Sequence, residues 1–161
     1  MNQDLNSVKI GLILVLLGLL AGVLLGVSFG ASEETFENYI AKGVSSHPDV
    51  HDANSNKKIW RYVQRAHFHS TGIAAFSLGL ILTILLSSMS DKFKTLSSTL
   101  VGLGSFYPLA WFTMFILAPS TGRDAAHHHI LTETFTYAGT FGILGGILIL
   151  CGNILFGMFK K

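Results

Sequence analysis

The chain has 161 residues, of which 50% are hydrophobic and only 12% are charged. Soluble domains carry about 25% charged residues, so this composition excludes an ordinary soluble protein and indicates an integral membrane protein. The formal net charge is only +2, and the basic residues are dispersed along the chain. We therefore expect contact with membrane lipid and no nucleic-acid partner. The single cysteine, Cys151, cannot form a disulfide within the chain.

Four apolar stretches reach the roughly 17–25 residues that a helix needs to cross a bilayer. They lie at residues 10–30, 72–89, 96–118 and 130–158. Because backbone amides in lipid must be paired within a segment, the sequence predicts an all-α fold, an integral membrane four-helix bundle. The chain forms a single transmembrane domain, 1–161, with a polar loop at 31–65. The predicted helices cover about 9–30, 66–89, 96–118 and 128–158.

The small residues after the first stretch, Gly30 and Ala31, would suit cleavage of a signal peptide. However, the apolar core is longer than the roughly 7–15 residues of a signal, and only Lys9 precedes it as a basic residue. We expect a membrane helix that stays in the mature protein.

The first predicted helix carries a glycine stripe, which consists of Gly11, Gly18, Gly22, Gly26 and Gly30. A spacing of four residues keeps such a stripe on one slowly drifting side of a helix. Small residues let a neighbouring helix approach closely in lipid, so packing is the expected role of the stripe. A haem lying against the same smooth face is the alternative.

Residues that are typical of turns predict how the remaining segments are connected. A short connection around Asp91 predicts that the second and third helices are antiparallel neighbours. Pro108 removes one backbone hydrogen bond and predicts a kink in the third helix, and residues 119–123 predict a turn before the fourth. Within the polar loop, Phe36 and Ile40 among acidic residues favour a short amphipathic helix on the membrane surface.

All the histidines fall on one side of the predicted bundle, since an even number of spans puts both termini on the other side. They are His47, His51, His67, His69, His127, His128 and His129. Imidazole is the commonest protein ligand for transition metals and haem iron. Basic residues are almost equally numerous on both sides, but those near the termini adjoin helix ends. This favours cytoplasmic termini and an extracytoplasmic histidine face.

The histidines of the second helix cannot easily share one metal ion. His67 and His69 are two residues apart and therefore point about 200° from each other on a helix. In the fourth helix, His129 begins the most polar stripe of the chain, with Glu133 and Thr136 following it. A carboxylate one turn into an apolar segment usually marks a function. Glu133 would be a metal ligand or the acceptor that orients a ligating histidine.

Two kinds of cofactor are compatible with these residues. A haem b, which we favour, would take one ligand from His67 or His69 and another from His128 or His129. Glycines of the second and fourth helices would leave room for its macrocycle: Gly72, Gly79, Gly139, Gly142, Gly145 and Gly146. A copper or zinc ion would instead need three or four converging donors. Those donors would come from His69, His127, His129 and Glu133, with His47 and His51 as accessory ligands.

The segment from Arg65 to His69, followed by Ser70, Thr71 and Gly72, resembles a known membrane motif. Catalytic subunits of haem-copper oxidases and nitric oxide reductases carry a similar sequence near the start of their second helix. The resemblance covers the first two helices and implies that His67 or His69 is a haem ligand. The catalytic histidines and the tyrosine of the later oxidase helices have no counterpart in this chain.

The expected function is electron transfer, or membership of a membrane redox complex together with other subunits or further copies of the chain. Because no nucleophile or substrate pocket is recognisable, we expect a non-catalytic subunit. Two alternatives stay open. One is a structural or assembly subunit without its own cofactor. The other is a small transporter or channel with a polar path along the fourth helix, past Glu133, Thr136 and Thr140.

Overall fold

The computed structural model describes residues 5–160 and confirms an all-α fold. In this part of the chain the helices are α1 (Lys9–Ser46), α2 (Ser55–Leu86), α3 (Asp91–Leu103), α4 (Tyr107–Thr121), α5 (Arg123–His127) and α6 (Ile130–Phe156). Short 3₁₀ turns cover Leu5–Val8, Pro48–Val50 and Gly104–Phe106.

Four helical segments are long and apolar enough to cross a membrane, as the composition predicts. They are Leu5–Ser46, Ser55–Leu86, Asp91–Thr121 and Ile130–Phe156. Successive spans run in opposite directions. The chain therefore has a terminus side, with residues 5–9, 87–90 and 157–160, and a histidine side, with residues 47–54 and 122–129. The arrangement makes this a multi-pass membrane protein in contact with lipid.

The prediction of a polar loop at 31–65 is wrong. Helix α1 continues to Ser46 with a local distortion at Ser32 (φ −155°, ψ 42°), and α2 already begins at Ser55. The physical reason is a narrow apolar stripe among the charged residues. Ile40 is 2% exposed, and it belongs to the same buried cluster as Ile59 of α2. Burial of this stripe stabilises helices that look too polar by composition.

The third span is broken near its middle, close to the predicted kink. Helix α3 ends at Leu103, a single 3₁₀ turn follows, and Pro108 lies in the first turn of α4, where its missing N–H costs no hydrogen bond. The predicted turn at 119–123 is shorter in the structure, because α4 continues to Thr121 and ends at Gly122 with φ +84°.

The glycine stripe of α1 is a packing surface. A Cβ on Gly11 would overlap the backbone of Ser98 in α3, and one on Gly18 would lie 2.7 Å from the Ser105 hydroxyl. Towards the histidine side the neighbour changes to α2, where Ser70 Oγ donates a 2.6 Å hydrogen bond to the carbonyl of Gly18. Close backbone approach therefore fixes α1 against two helices at once.

Candidate functional site

Helix α4 presents an aromatic wall, formed by Tyr107 and Trp111, in its first half, near the middle of the third span. The two residues are four apart and therefore share one face of the helix. The imidazole of His69 stacks on Trp111 with ring centroids 5.8 Å apart and an interplanar angle of 26°, and it lies 5.3 Å from the Tyr107 ring. The guanidinium of Arg65 lies 4.7 Å from the centre of the Trp111 ring. Helix α2 thus supplies two nitrogen-rich side chains to this wall.

The same aromatic wall borders a cavity of about 170 Å³ between α4 and the α5–α6 region. Its lining is formed by Tyr107, Ala110, Trp111, Met114, His127, His128, Thr132, Glu133, Thr136 and Tyr137. His69 contacts the wall but is not part of the lining. The cavity combines flat rings with a few polar groups, which is the usual composition of a small-molecule site.

A histidine–carboxylate pair lies in this cavity. His128 Nδ1 and Glu133 Oε1 are 3.3 Å apart, and both side chains are partly exposed. The sequence placed Glu133 on the stripe that begins at His129, whereas its side chain lies against His128 in the structure. Helix α6 begins only at Ile130, so His129 has an extended backbone and caps the helix by accepting a 3.3 Å hydrogen bond from the Leu131 N–H.

The three consecutive histidines do not lie on one continuous helix, although the fourth helix was predicted to begin at about residue 128. His127 ends α5, His128 lies in the connection, and His129 is the N-cap of α6. In a neutral imidazole only one nitrogen carries a lone pair, and capping uses that of His129. This geometry favours His128 over His129 as a ligand.

His67 points away from the aromatic wall and towards α1. Its Nδ1 donates a 2.8 Å hydrogen bond to the carbonyl of Gly22, and its ring covers Gly26. The rings of Phe29 and Phe68 flank it, with centroids 5.7 and 5.2 Å away. His67 was expected near the start of the second helix. Because α2 begins at Ser55, it lies about three turns into a helix of 32 residues.

The hydrogen bonds fix the same tautomer in both histidines of α2. A carbonyl oxygen can only accept, so Nδ1 carries the proton in His67, and also in His69, whose Nδ1 lies 2.8 Å from the Arg65 carbonyl. The lone pair of each ring is then on Nε2. This is the arrangement found in most metal-ligating histidines, whose second nitrogen donates to a carbonyl or carboxylate.

The two loop histidines occupy separate positions. His47 is exposed, and its Nδ1 lies 3.0 Å from the carbonyl of Gly43 one turn earlier. His51 is half-buried, with Nε2 3.0 Å from the Pro119 carbonyl and with Nδ1 buried without a partner. Neither residue lies beside the aromatic wall.

The donors proposed for a copper or zinc ion do not form one cluster among residues 5–160. Within residues 5–160, no three His, Cys, Asp or Glu side chains converge on one point. Such an ion needs three or four ligands. Of the candidate ligands, His69 contacts the aromatic wall but does not line the cavity, whereas His127 and Glu133 do line it. His129 instead caps helix α6.

The glycines expected to leave room for a macrocycle behave in two ways. Those of α6 are filled by close helix contacts: a Cβ on Gly139 would lie 2.5 Å from the Tyr107 backbone, and one on Gly142 would lie 2.6 Å from Leu103. In α2, by contrast, no atom lies within 4 Å of a Cβ built on Gly72 or Gly79.

Tyr107 and Trp111 were not recognised as site residues from the sequence. Both lie within an apolar segment whose aromatic residues suit lipid contact as well as a cavity. The available signal was the spacing of four between two large rings that each carry a polar group. In the structure, the indole Nε1 of Trp111 is buried without a hydrogen-bond partner, which marks this residue as unusual.

Comparisons of the chain with protein-family profiles, with curated proteins and with solved structures find no match.

Proposed function

We propose that this chain is a membrane-embedded electron-transfer protein that binds haem b through His67. The observation that carries the proposal is an imidazole inside a membrane-spanning helix whose Nδ1–H is bound to the Gly22 carbonyl. Histidines within such helices are rare and usually functional. The Nε2 atom of His67 has no hydrogen-bond partner among the described residues, so its lone pair is free for iron.

The surroundings of His67 suit a haem better than a metal ion. Phe29 and Phe68 keep water from the ring, and Phe68 is 65% exposed towards the lipid. Further along α1, a Cβ on Gly30 would meet no atom within 4 Å, so the glycine stripe ends in uncovered, smooth surface. One histidine is sufficient for haem attachment, and a bound haem supplies a one-electron carrier.

In this proposal the described residues position and insulate the ligand. The Gly22 carbonyl fixes the plane and the tautomer of the imidazole and increases the electron donation of Nε2. Gly26 lets the ring lie directly against α1. Any further histidine for the haem would come from another subunit or a second copy, and the histidine side would face out of the cytoplasm. His69, with the same tautomer, is the second choice for the ligand.

An optical spectrum and elemental analysis of protein purified from its native membrane test the proposal. We expect a Soret band with stoichiometric iron, and we expect His67→Ala to remove it. His47→Ala is the matched control, because His47 is exposed and bonds only within its own helix turn. Absence of both the band and the iron, or an equal band in His67→Ala, would overturn the proposal. Loss of the band in His69→Ala alone would transfer the role to that residue.

A further inference from the structure

A second cavity, of about 630 Å³, opens on the terminus side, where α2 and α6 end. This terminus-side cavity is lined by Thr83, residues 86–88, residues 153–157 and Lys160. Both helices cross the membrane and end here, so the cavity lies where the apolar core of the bilayer meets the headgroup layer.

The lining of the terminus-side cavity is apolar in one part and polar in another. The last turns of the two helices contribute Leu86, Ile154 and Leu155, which are 59%, 60% and 70% exposed towards the lipid. The residues beyond the helix ends contribute Ser88 and Lys160. A ligand that fits both parts has an apolar chain next to a polar group, as a phospholipid does.

The cation of this cavity is Lys160, whose ammonium is free to bind a ligand. Its Nζ lies over the end of α6, 2.8 Å from the position of a Cβ built on Gly157, which also lines the cavity. The residue is exposed, and its ammonium makes no ion pair or hydrogen bond within residues 5–160. An ammonium carries three N–H donors and no acceptor, so its natural ligand is an anion.

The segment after α6 holds Lys160 in this position. The Phe159 carbonyl accepts a 2.9 Å hydrogen bond from the Ser90 N–H, and the Phe159 and Phe93 rings have centroids 4.4 Å apart. Phe159 also has a left-handed backbone (φ 66°), which is unfavourable in a phenylalanine and persists only where the surrounding contacts maintain it. The backbone of Lys160 is thereby fixed next to Met89, in the turn that leads from α2 to α3.

The other polar side chains of the lining have less to offer a ligand. The hydroxyls of Thr83 and Ser87 and the amide N–H of Asn153 already donate to backbone carbonyls, at 2.9, 2.7 and 2.6 Å. Ser88 makes only a long bond of 3.4 Å, to the Asn153 amide oxygen. The Ser88 hydroxyl can therefore turn towards an anion and join the Lys160 ammonium.

The charge around the cavity is positive. Two helices end here, and each C-terminus carries roughly half a negative charge. At the end of α2, the buried Lys94 ammonium donates a 2.6 Å hydrogen bond to the Leu85 carbonyl, and at the end of α6 lies the ammonium of Lys160. Two full positive charges therefore outweigh the two helix ends. Asp91 is the only acidic residue in positions 83–94 and 146–160, and it does not line the cavity.

We propose that the terminus-side cavity binds an anionic phospholipid. The phosphodiester accepts hydrogen bonds from the Lys160 ammonium and the Ser88 hydroxyl, and an acyl chain lies against Leu86 and Ile154. Inorganic phosphate shares the chemistry of the headgroup but has no chain for the apolar part of the lining. The site is independent of the haem proposed at His67, so either proposal can fail alone.

Native mass spectrometry of the full chain in a non-ionic detergent tests the proposal, with added palmitoyl-oleoyl phosphatidylglycerol or phosphatidylcholine. We expect one retained phosphatidylglycerol, preferred over phosphatidylcholine by about fivefold, the usual contribution of one basic residue at an anionic membrane surface. Lys160→Gln should abolish the preference. The matched control is Lys92→Gln, which removes the same charge from the same end of the bundle at an exposed position outside the lining, and it should keep the preference.

A second variant tests the cavity without changing its charge. Thr83→Leu adds bulk to the lining and should lower the retention of phosphatidylglycerol. Its control is Thr113→Leu, which likewise loses a hydrogen bond to the carbonyl four residues earlier but lies outside this cavity.

Three results would overturn the proposal. The first is equal retention of the two lipids by the unmodified chain, or a preference that Lys160→Gln leaves unchanged or that Lys92→Gln abolishes as well. The second is equal retention in Thr83→Leu and Thr113→Leu, which would place the lipid elsewhere on the surface. The third is displacement of the lipid by excess inorganic phosphate, which would show a site for the phosphate group alone.

Discussion

The two ends of the bundle are held together by different chemistry. On the terminus side, helices meet through glycine, serine and aliphatic side chains. A Cβ on Gly146 of α6 would lie 2.6 Å from Val101, and the Ser97 hydroxyl donates a 2.9 Å hydrogen bond to the Gly146 carbonyl. The buried cluster there contains Val8, Val15, Ala74, Ile81, Ile84, Leu85, Met89, Val101 and Leu150, and only the Phe93 and Phe159 rings, 4.4 Å apart, pack against it among the described residues.

On the histidine side, aromatic rings supply many of the contacts, beside a close approach of Gly43 to Pro119. The buried cluster includes Tyr62 and Phe115, with Phe29, Trp60 and Trp111 packed against it. Its ring pairs have centroids 5–6 Å apart. Buried polar atoms without a partner occur here at His51 and Trp111, as they also do at Ser77 and Ser105 nearer the middle of the spans. Small-residue contacts between helices dominate on the terminus side, where a cavity of about 630 Å³ also opens beside Ser88 and Asn153. Aromatic packing dominates on the histidine side.

The largest expected effect is a loss of helix–helix packing on the terminus side. Gly11→Ala places a methyl group against the backbone carbonyl of Ser98, which cannot rotate away. We expect a loss of about 1–3 kcal/mol or more of stability, seen as a lower thermal midpoint in detergent. The matched control is Gly72→Ala, since nothing lies within 4 Å of that Cβ and α2 would gain helix propensity. Equal midpoints for the two variants would contradict the contrast between tight and open glycines.

A smaller effect on stability is expected for two buried serines of α2, one whose hydroxyl has a hydrogen-bond partner and one whose hydroxyl has none. Ser70→Ala removes a hydroxyl that donates to the Gly18 carbonyl, whereas Ser77→Ala removes one that is buried without a partner among the described residues. Hydrogen bonds between membrane helices are worth about 0.6 kcal/mol on average and up to about 1.7 kcal/mol. We expect Ser70→Ala to destabilise by an amount in this range and Ser77→Ala to be neutral or stabilising. Denaturant titration in mixed micelles measures both, and a larger loss for Ser77→Ala would refute the assignment.

The membrane spans were predictable because the length of each apolar stretch can be read directly from the local sequence. The same holds for the break beside Pro108 and for the divergence of His67 and His69, which follows from helical geometry. The helical extension of α1 to Ser46 was not predictable from average polarity. It depends on the packing of Ile40 in the same buried cluster as Ile59, which is distant in sequence.

The site was harder to predict because three segments build it. The cavity needs α4, α5 and α6 together, and Trp111 becomes exceptional only when its neighbours leave the indole N–H unpaired. The pairing of Glu133 with His128 instead of His129 follows from where α6 begins. That boundary is set by the tight turn at Gly122 and the short α5, which no periodicity in the fourth apolar segment reveals.

The smallest expected effect concerns the connection on the histidine side. Asp52 accepts a 2.7 Å hydrogen bond from the Lys58 ammonium and a 2.9 Å bond from the Asn54 N–H, and these lower its pKa from 3.8 to about 2. A depressed folded-state pKa stabilises the connection above pH 3.8, and this contribution is lost as the pH falls towards about 2. Because the carboxylate is exposed, the effect is local, and the bundle should stay folded.

Carbon-detected NMR titration of Asp52 should give a midpoint near 2 that returns towards 3.8 in Lys58→Met. Lys57→Met is the matched control, since Lys57 makes no ion pair with a described residue. A midpoint that does not respond to Lys58→Met would show that the ion pair is not what orders this connection, and would leave the backbone hydrogen bond from Asn54 as the dominant contact.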